Sequence, residues 1–230
     1  MALKTKPFKE FGRFLVLSAI VSVAVAMRFL YAEHENWIYS RIFGGRTRWI
    51  TEWGRFFMEL HLAVTFVLQI HRLVFAEAPL WCTKFVENLF CQVVAPTECF
   101  VVFTFWAISL SIPGGVVPPR EDHPFPMGLN LYVHLWPVVY NLVVMWLYPA
   151  HHKRPLLPDL LVAVAVDLAY IAWTFYVVSV DGMWPYPVLT QVPSLGKAAL
   201  FTGSVMVTIC LLFAFRAVRS AMAVRPKKTH

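Results

Sequence analysis

The stretch that decides the fold is GLNLYVHLWPVVYNLVVM, at residues 128–145. It is an apolar run that carries Asn130, His134 and Asn141 at spacings of four and seven, so on a helix the three lie along one face. Because an unpaired polar group in hydrocarbon is costly, this polar stripe must face other protein or a water-filled cavity. The run therefore predicts a membrane-spanning helix in which His134 either hydrogen-bonds to a neighbouring helix or takes part in function.

The composition of the whole chain is that of a membrane protein. Of its 230 residues, 59% are hydrophobic and only 14% are charged, and the mean hydropathy is +0.61. The net charge of +7 lies mostly near the ends of apolar runs, which indicates membrane topology and not a nucleic-acid partner. The four cysteines show no metal-binding spacing such as CxxC, so the sequence predicts no metal site.

Six runs are long enough to cross a bilayer, which takes ~20 residues. They lie at residues 11–31, 49–75, 89–112, 128–149, 157–180 and 197–218. The first follows a basic segment and contains Ala24-Val25-Ala26, a pattern that resembles a cleavable signal peptide, but we interpret it as a retained span. In the third, Pro96 predicts a kink. The predicted fold is all-α: a polytopic membrane protein in which residues 1–230 form one six-transmembrane-helix bundle.

The distribution of Lys and Arg predicts the topology. An even number of spans puts both termini on one side, and 13 of the 20 Lys and Arg residues fall on that side. By the positive-inside rule both termini then face the cytosol, or the matrix in a mitochondrial membrane. The loops at 32–48, 113–127 and 181–196 face the opposite side.

Thr51 and His134 form a candidate catalytic pair. Each lies within the first one or two turns of a span that starts on the non-cytosolic side, so both are within ~10 Å of the same interface. A hydroxyl beside an imidazole is the minimal nucleophile–base pair for acyl transfer, because the imidazole removes the hydroxyl proton. A third group could orient the imidazole, and the candidates for this supporting role are Asn130, Asn141, Glu52 and Asp181.

Other interpretations of these polar residues stay open. A Thr in a span often hydrogen-bonds to its own helix. The spacing of Glu52, Arg55 and Glu59 favours an internal ion-pair set over a catalytic site, because paired charge is how a bundle tolerates charge. His61 and His134 could in principle ligate haem, but no second pair of histidines supports this, and no cofactor is predicted.

Four motifs occur in the order and spacing of one family. They are Gly44-Gly45 followed by Ile50-Thr51, then Phe105-Trp106, then Asn130 and His134 followed by His151-His152, and finally DGMWPYP at 181–187. In this arrangement the chain resembles the androgen-induced gene 1 family over nearly its whole length. The GMWxYP piece is the most specific part of the resemblance.

The resemblance implies a six-span membrane hydrolase with cytosolic termini, in the endoplasmic reticulum or the plasma membrane. Family members cleave fatty acid esters of hydroxy fatty acids with a Thr nucleophile and a His, and by motif position these roles fall on Thr51 and His134. Membrane lipids or fatty esters are then the expected ligands, and a fatty ester would reach the site sideways from the bilayer.

The sequence also departs from the family pattern. Residues 52–55, EWGR, follow Thr51 where the family has small or apolar residues and an Asn, and Leu131 and Leu135 replace a His and a Thr. These departures favour an alternative function of another class. In it the protein is a non-catalytic accessory subunit that binds neighbouring subunits of a large membrane complex, for example in the mitochondrial inner membrane.

Overall fold

Helices form nearly all of the chain that the structure describes. The computed structural model describes residues 5–35, 43–75, 77–112, 115–116, 127–149 and 154–222. Its α-helices are α1 (Thr5–Glu35), α2 (Ile50–Phe75), α3 (Leu80–Leu89), α4 (Ala95–Ser111), α5 (Met127–His134), α6 (Trp136–Leu147), α7 (Leu156–Asp181), α8 (Pro187–Gln191) and α9 (Ser194–Met222). No strand occurs in these ranges, so the predicted all-α class is confirmed. His151-His152, residues 36–42 of the loop predicted at 32–48 and most of the loop predicted at 113–127 lie outside the described residues.

Five helical segments are long and apolar enough to cross a membrane, and α5 with α6 makes a sixth if the two cross as one span. This confirms a polytopic membrane protein. The largest boundary difference concerns the third segment, which runs from Leu80 to Ser111 and so begins nine residues before the predicted start at 89. Its first turns carry the charged residues Lys84 and Glu87, so a search for apolar residues alone places the start of the span after them.

The third segment accommodates Pro96 with a π-helical turn at Phe90–Val94, between α3 and α4. A proline has no backbone N–H to donate to the carbonyl four residues earlier, so a regular helix cannot pass through it unchanged. Widening the turn to a five-residue hydrogen-bond step, as between the Ala95 N–H and the Phe90 carbonyl, is one way to absorb this defect. The predicted disturbance at Pro96 is therefore present, just before the proline.

The opening stretch does not form one straight helix. It divides into α5 and α6, which meet at Leu135 with a bend of 45°. Leu135 has φ −134° and ψ −42°, outside the helical region, and Pro137 follows at the start of α6. Because proline clashes with the carbonyl four residues earlier, it breaks the ladder at this point. Asn141 lies beyond the bend, so the three polar residues are not on one straight helix, although His134 and Asn141 both contact α4.

The main apolar core of the bundle contacts a buried histidine, His61. Residues from several helices form the main core, among them Leu17, Met58, Val94, Val144 and Phe215. Within it, His61 Nδ1 lies 2.6 Å from Tyr140 Oη and His61 Nε2 lies 3.3 Å from Thr65 Oγ1. Both ring nitrogens are therefore occupied, and the possible haem pairing of His61 with His134 has no support.

Charged residues are concentrated at the two ends of the bundle. At one end, Arg48 pairs with Asp181 at the end of α7. At the other end, Asp159 of α7 pairs with Arg154 at 2.9 Å and also with Arg216 of α9. Asp159 is only 1% exposed, so pairing with two cations is what makes its burial tolerable. Ion pairs thus hold α7 near both of its ends, to the turn before α2 at one end and to α9 at the other.

Cysteine labelling would check the topology. In a variant without native cysteines, Thr190→Cys in the 181–196 loop should react with an impermeant maleimide from the non-cytosolic side. Lys84→Cys, at the start of α3, should react only from the cytosolic or matrix side. Both positions are exposed, so labelling of the two cysteines from one side would contradict the six-span arrangement.

Candidate functional site

The segment before Thr51 is a short 3₁₀ turn, Gly45–Arg48, that leads directly into α2. It begins after Gly44, whose φ of 78° is in the left-handed region that favours glycine. A Cβ on Gly44 would also lie 3.2 Å from Val177 Cγ2 of α7. The Gly44-Gly45 pair thus lets the chain turn sharply while it touches α7.

Arg48 holds this turn against α7. Its side chain is 2% exposed, pairs with Asp181 and donates to the carbonyls of Met183 and of Phe43. The carbonyl of Arg48 itself accepts a hydrogen bond of 2.8 Å from Tyr170 Oη. One residue thus connects the turn to α7 and to the loop after it.

Two further contacts fix the first turn of α2. The backbone N–H of Ile50 donates to Tyr186 Oη over 3.1 Å, which satisfies one of the N–H groups that a helix start leaves unpaired. The indole of Trp173 donates to the Thr47 carbonyl over 2.8 Å. Tyr186 belongs to the DGMWPYP run, so this motif contacts the residue next to Thr51.

Thr51 lies in that first turn with its side chain partly exposed. Other hydroxyls in the helices bond back to their own backbone, as Thr104 does to Phe100 and Ser18 to Phe14. No hydrogen bond to the Thr51 hydroxyl occurs among the described residues, so it is not engaged in the back-bonding common for Thr in a span.

His134 ends α5 in a tightly defined orientation. Its ring stacks on Phe105 of α4, with ring centroids 3.4 Å apart and an interplanar angle of 7°. Its Nδ1 lies 2.7 Å from Asn130 Oδ1 and 3.2 Å from the Asn130 carbonyl oxygen. Its own carbonyl accepts a hydrogen bond of 2.8 Å from the indole of Trp106.

The contact with Asn130 determines which nitrogen of His134 is basic. A backbone carbonyl oxygen accepts hydrogen bonds only, and with the amide oxygen of Asn130 beside it Nδ1 must carry the proton. In the neutral ring Nε2 then holds the free lone pair. The helical spacing of four residues brings the two side chains together, as the sequence predicted.

The other supporting candidates have partners elsewhere. Glu52 pairs with Arg55, whose guanidinium also lies 3.7 Å from Glu59, so the predicted ion-pair set is present. The amide nitrogen of Asn141 lies 3.8 Å from Cys99 Sγ.

The predicted pair itself is not joined directly. Thr51 and His134 share no hydrogen bond, and Asp181 is engaged by Arg48 and by the Met183 N–H at 3.0 Å. Of the supporting candidates, only Asn130 is in hydrogen-bond contact with His134.

One buried acid near Thr51 had no role assigned from the sequence. Glu98 of α4 is 1% exposed, and neither of its carboxylate oxygens has a hydrogen-bond partner among the described residues. It lies against Gly54, one turn after Thr51, where an added Cβ would be 3.0 Å from Glu98 Oε1. The sequence feature that could have identified it is that Glu98 is the one acidic residue in the otherwise apolar run 95–112.

A cavity of about 460 Å³ opens beside α2, one turn from Thr51. Thr47, Glu52 and Arg55 line it on one side, and the aromatic rings of Trp53 and Phe56 contribute apolar wall. This volume is within the usual range for small-molecule sites. No cluster of three or more metal-ligating side chains is found in the part of the chain that the structure describes.

Comparison with known proteins identifies the family. A family model described as "FAR-17a/AIG1-like protein" matches residues 13–220, which is nearly the whole chain. The chain belongs to the FAR-17a/AIG1 family. The androgen-induced gene 1 resemblance drawn from the motifs is therefore confirmed.

The individual relatives of this chain are distant from it in sequence. The androgen-dependent TFPI-regulating protein of Mesocricetus auratus is 26% identical over 159 residues, 69% of this chain and 68% of the relative. The androgen-induced gene 1 protein of Homo sapiens is 30% identical over 119 residues, 51% and 49% of the two chains. A membrane protein of Schizosaccharomyces pombe is 24% identical over 116 residues, 50% of this chain and 52% of the relative. No solved structure matches.

The Arg48–Asp181 pair gives a stability prediction. Asp181→Asn should lower the free energy of unfolding by about 2 kcal/mol, because it leaves a buried guanidinium without its counter-charge while keeping an oxygen to accept a hydrogen bond. Thermal unfolding of the purified protein would measure this. The control is Ser179→Ala, which removes an exposed hydroxyl bonded only to the Tyr176 carbonyl. Equal midpoints for the two variants would show that the pair contributes nothing.

Proposed function

We propose that this protein is an integral-membrane lipid esterase in which Thr51 is the nucleophile and His134 is the general base. The observation that carries the proposal is the contact between His134 Nδ1 and Asn130, because it leaves Nε2 as the basic nitrogen. An Asp or Asn that holds the imidazole in this way is the usual third member of a nucleophile–His arrangement.

The proposed reaction has two half-reactions. Nε2 of His134 removes the Thr51 proton as Oγ1 attacks the carbonyl carbon of a fatty ester, and the protonated imidazole then gives its proton to the departing alkoxide. This produces the alcohol and an acyl-threonine. Water, deprotonated by the same nitrogen, next attacks the acyl carbon. The imidazolium then gives its proton to Thr51 Oγ1 as the bond to the acyl group breaks and the fatty acid leaves.

The surroundings of Thr51 support this chemistry. Its hydroxyl has no competing hydrogen bond within the described residues, and the cavity bounded by Trp53 and Phe56 offers an apolar surface for an acyl chain. Attack requires Oγ1 to come within about 3 Å of Nε2. The bend at Leu135 directly follows His134, and a small change there would move the imidazole relative to α2.

A second candidate function is that of a non-catalytic accessory subunit. The specific observation in its favour is the ion-pair set of Glu52, Arg55 and Glu59, which occupies the cavity wall next to Thr51. On the esterase proposal the protein resides in the endoplasmic reticulum or the plasma membrane. On the accessory-subunit proposal the mitochondrial inner membrane also becomes a candidate.

Covalent labelling distinguishes the two functions. A fluorophosphonate probe should label the purified esterase, and mass spectrometry should place the adduct on Thr51. Thr51→Ala should abolish labelling and His134→Ala should nearly abolish it, because an unassisted threonine hydroxyl is scarcely ionised near neutral pH. Thr51→Ser should keep part of it.

The matched control is Thr47→Ala. Thr47 lies four residues before Thr51 and lines the cavity, which Thr51 itself does not, but the Thr47 hydroxyl already donates to the Gly44 carbonyl over 2.7 Å. This variant should label as the wild type does. Absence of labelling at every residue would favour the accessory subunit, and equal labelling of wild type and Thr51→Ala would exclude the assigned nucleophile.

The role of Asn130 can be tested separately. Asn130→Leu should slow probe labelling about 10- to 100-fold, because the imidazole loses the group that orients it. Asn141→Leu is the matched change on α6, where the side-chain amide hydrogen-bonds to Cys99 alone among the described residues, and it should leave the rate nearly unchanged. The rate of adduct formation measures both variants, and a similar loss in each would argue against a specific role for Asn130.

A further inference from the structure

A second cavity, of about 540 Å³, lies at the opposite end of the bundle from Thr51. It is lined by the first turns of α1, the end of α6 and the last residue of α9, Met222. All three helix ends are on the side predicted to face the cytosol or matrix. Nothing in the proposed esterase reaction uses this cavity.

The rim of the cavity carries basic side chains. Lys9 is exposed and has no ion-pair partner among the described residues. Arg13 pairs with Glu10 at 2.7 Å and lies 5.1 Å from the centre of the Tyr148 ring. A guanidinium has five N–H donors, so this pairing leaves donors available to a second anion.

The charge around the rim is positive overall. At the rim, Lys9 and Arg13 stand beside a single acid, Glu10, and Arg72 of α2 lies near the same Tyr148 ring at 5.8 Å without lining the cavity. Glu10 is also held by the Gln69 amide at 2.9 Å. An anion at this rim would therefore meet net attraction, while a quaternary ammonium would meet repulsion.

The walls of the cavity suit an acyl chain. Val16 and Leu147 contribute aliphatic surface, and the exposed ring of Trp146 is of the kind found at membrane–water interfaces. Gly12 leaves the wall open, since a Cβ at this position would have nothing within 4 Å. An apolar cavity with a cationic rim at the interface matches one lipid that has an anionic headgroup.

We propose that this cavity binds an anionic glycerophospholipid, with its phosphate at Lys9 and Arg13 and one acyl chain along Val16 and Trp146. The cytosolic leaflet is where anionic lipids are concentrated, in agreement with the predicted orientation. The bound lipid bridges α1, α6 and α9, which are distant in sequence.

Native mass spectrometry of the purified full-length protein tests this proposal. The protein is mixed with equal amounts of dioleoyl-phosphatidylglycerol and dioleoyl-phosphatidylcholine, and the bound lipids are counted. The wild type should favour phosphatidylglycerol, and Lys9→Gln should reduce this preference about fivefold. Lys84→Gln removes an exposed charge on the same predicted side, away from the cavity, and should keep the preference.

A steric variant keeps the test informative if Lys9→Gln misfolds. Gly12→Leu places a side chain in the open space of the cavity and removes no charge, so it should reduce binding of both lipids. Thermal unfolding midpoints confirm that each variant is folded. Equal effects of Lys9→Gln and Lys84→Gln, no preference in the wild type, or undiminished binding by Gly12→Leu would each overturn the proposal.

Discussion

The buried guanidinium of Arg48 is the group on which the non-cytosolic end of the bundle depends. It cannot remain in apolar surroundings without an anion and several acceptors, and Asp181 and the Met183 carbonyl are the groups that meet this need. To supply them, α7 ends at Asp181, and the next residue, Gly182, turns the backbone away from the helix with a φ of 74°. The start of α2, including Thr51, is therefore positioned by residues at the far end of α7.

The same need to compensate charge explains the layering of the molecule. Ion pairs occur at both ends, while the middle holds mainly aliphatic and aromatic residues and the His61–Tyr140 contact. A neutral hydrogen bond costs less to keep in a low-dielectric centre than an ion pair does. Of the two candidate catalytic residues near one end, Thr51 is partly exposed and His134 is buried.

The sequence predicted the parts of this structure that depend on local spacing. Span positions followed from apolar length, and the contact of Asn130 with His134 followed from a four-residue interval on one helix. The bend at Leu135 was missed because the residues on both sides of Pro137 are apolar. The prediction followed the apolar composition of the run and gave too little weight to its one helix-breaking proline. The Arg48–Asp181 pair joins residues 133 positions apart, and no periodicity encodes such a contact. Whether Thr51 meets His134 depends on how α2 and α5 approach each other, which stays a prediction.

The sequence separation of 133 residues between Arg48 and Asp181 has a consequence for biogenesis. At a synthesis rate of ~5–20 residues per second, Asp181 emerges roughly 7–27 s after Arg48. During this delay the nascent N-terminal half carries an arginine whose final counter-ion does not yet exist. Water or lipid phosphates at the membrane surface must solvate it until α7 is inserted. A ribosome that stalls between these two codons therefore leaves an intermediate in which the start of α2 is not yet held by Asp181. Such an intermediate is a natural substrate for membrane quality control.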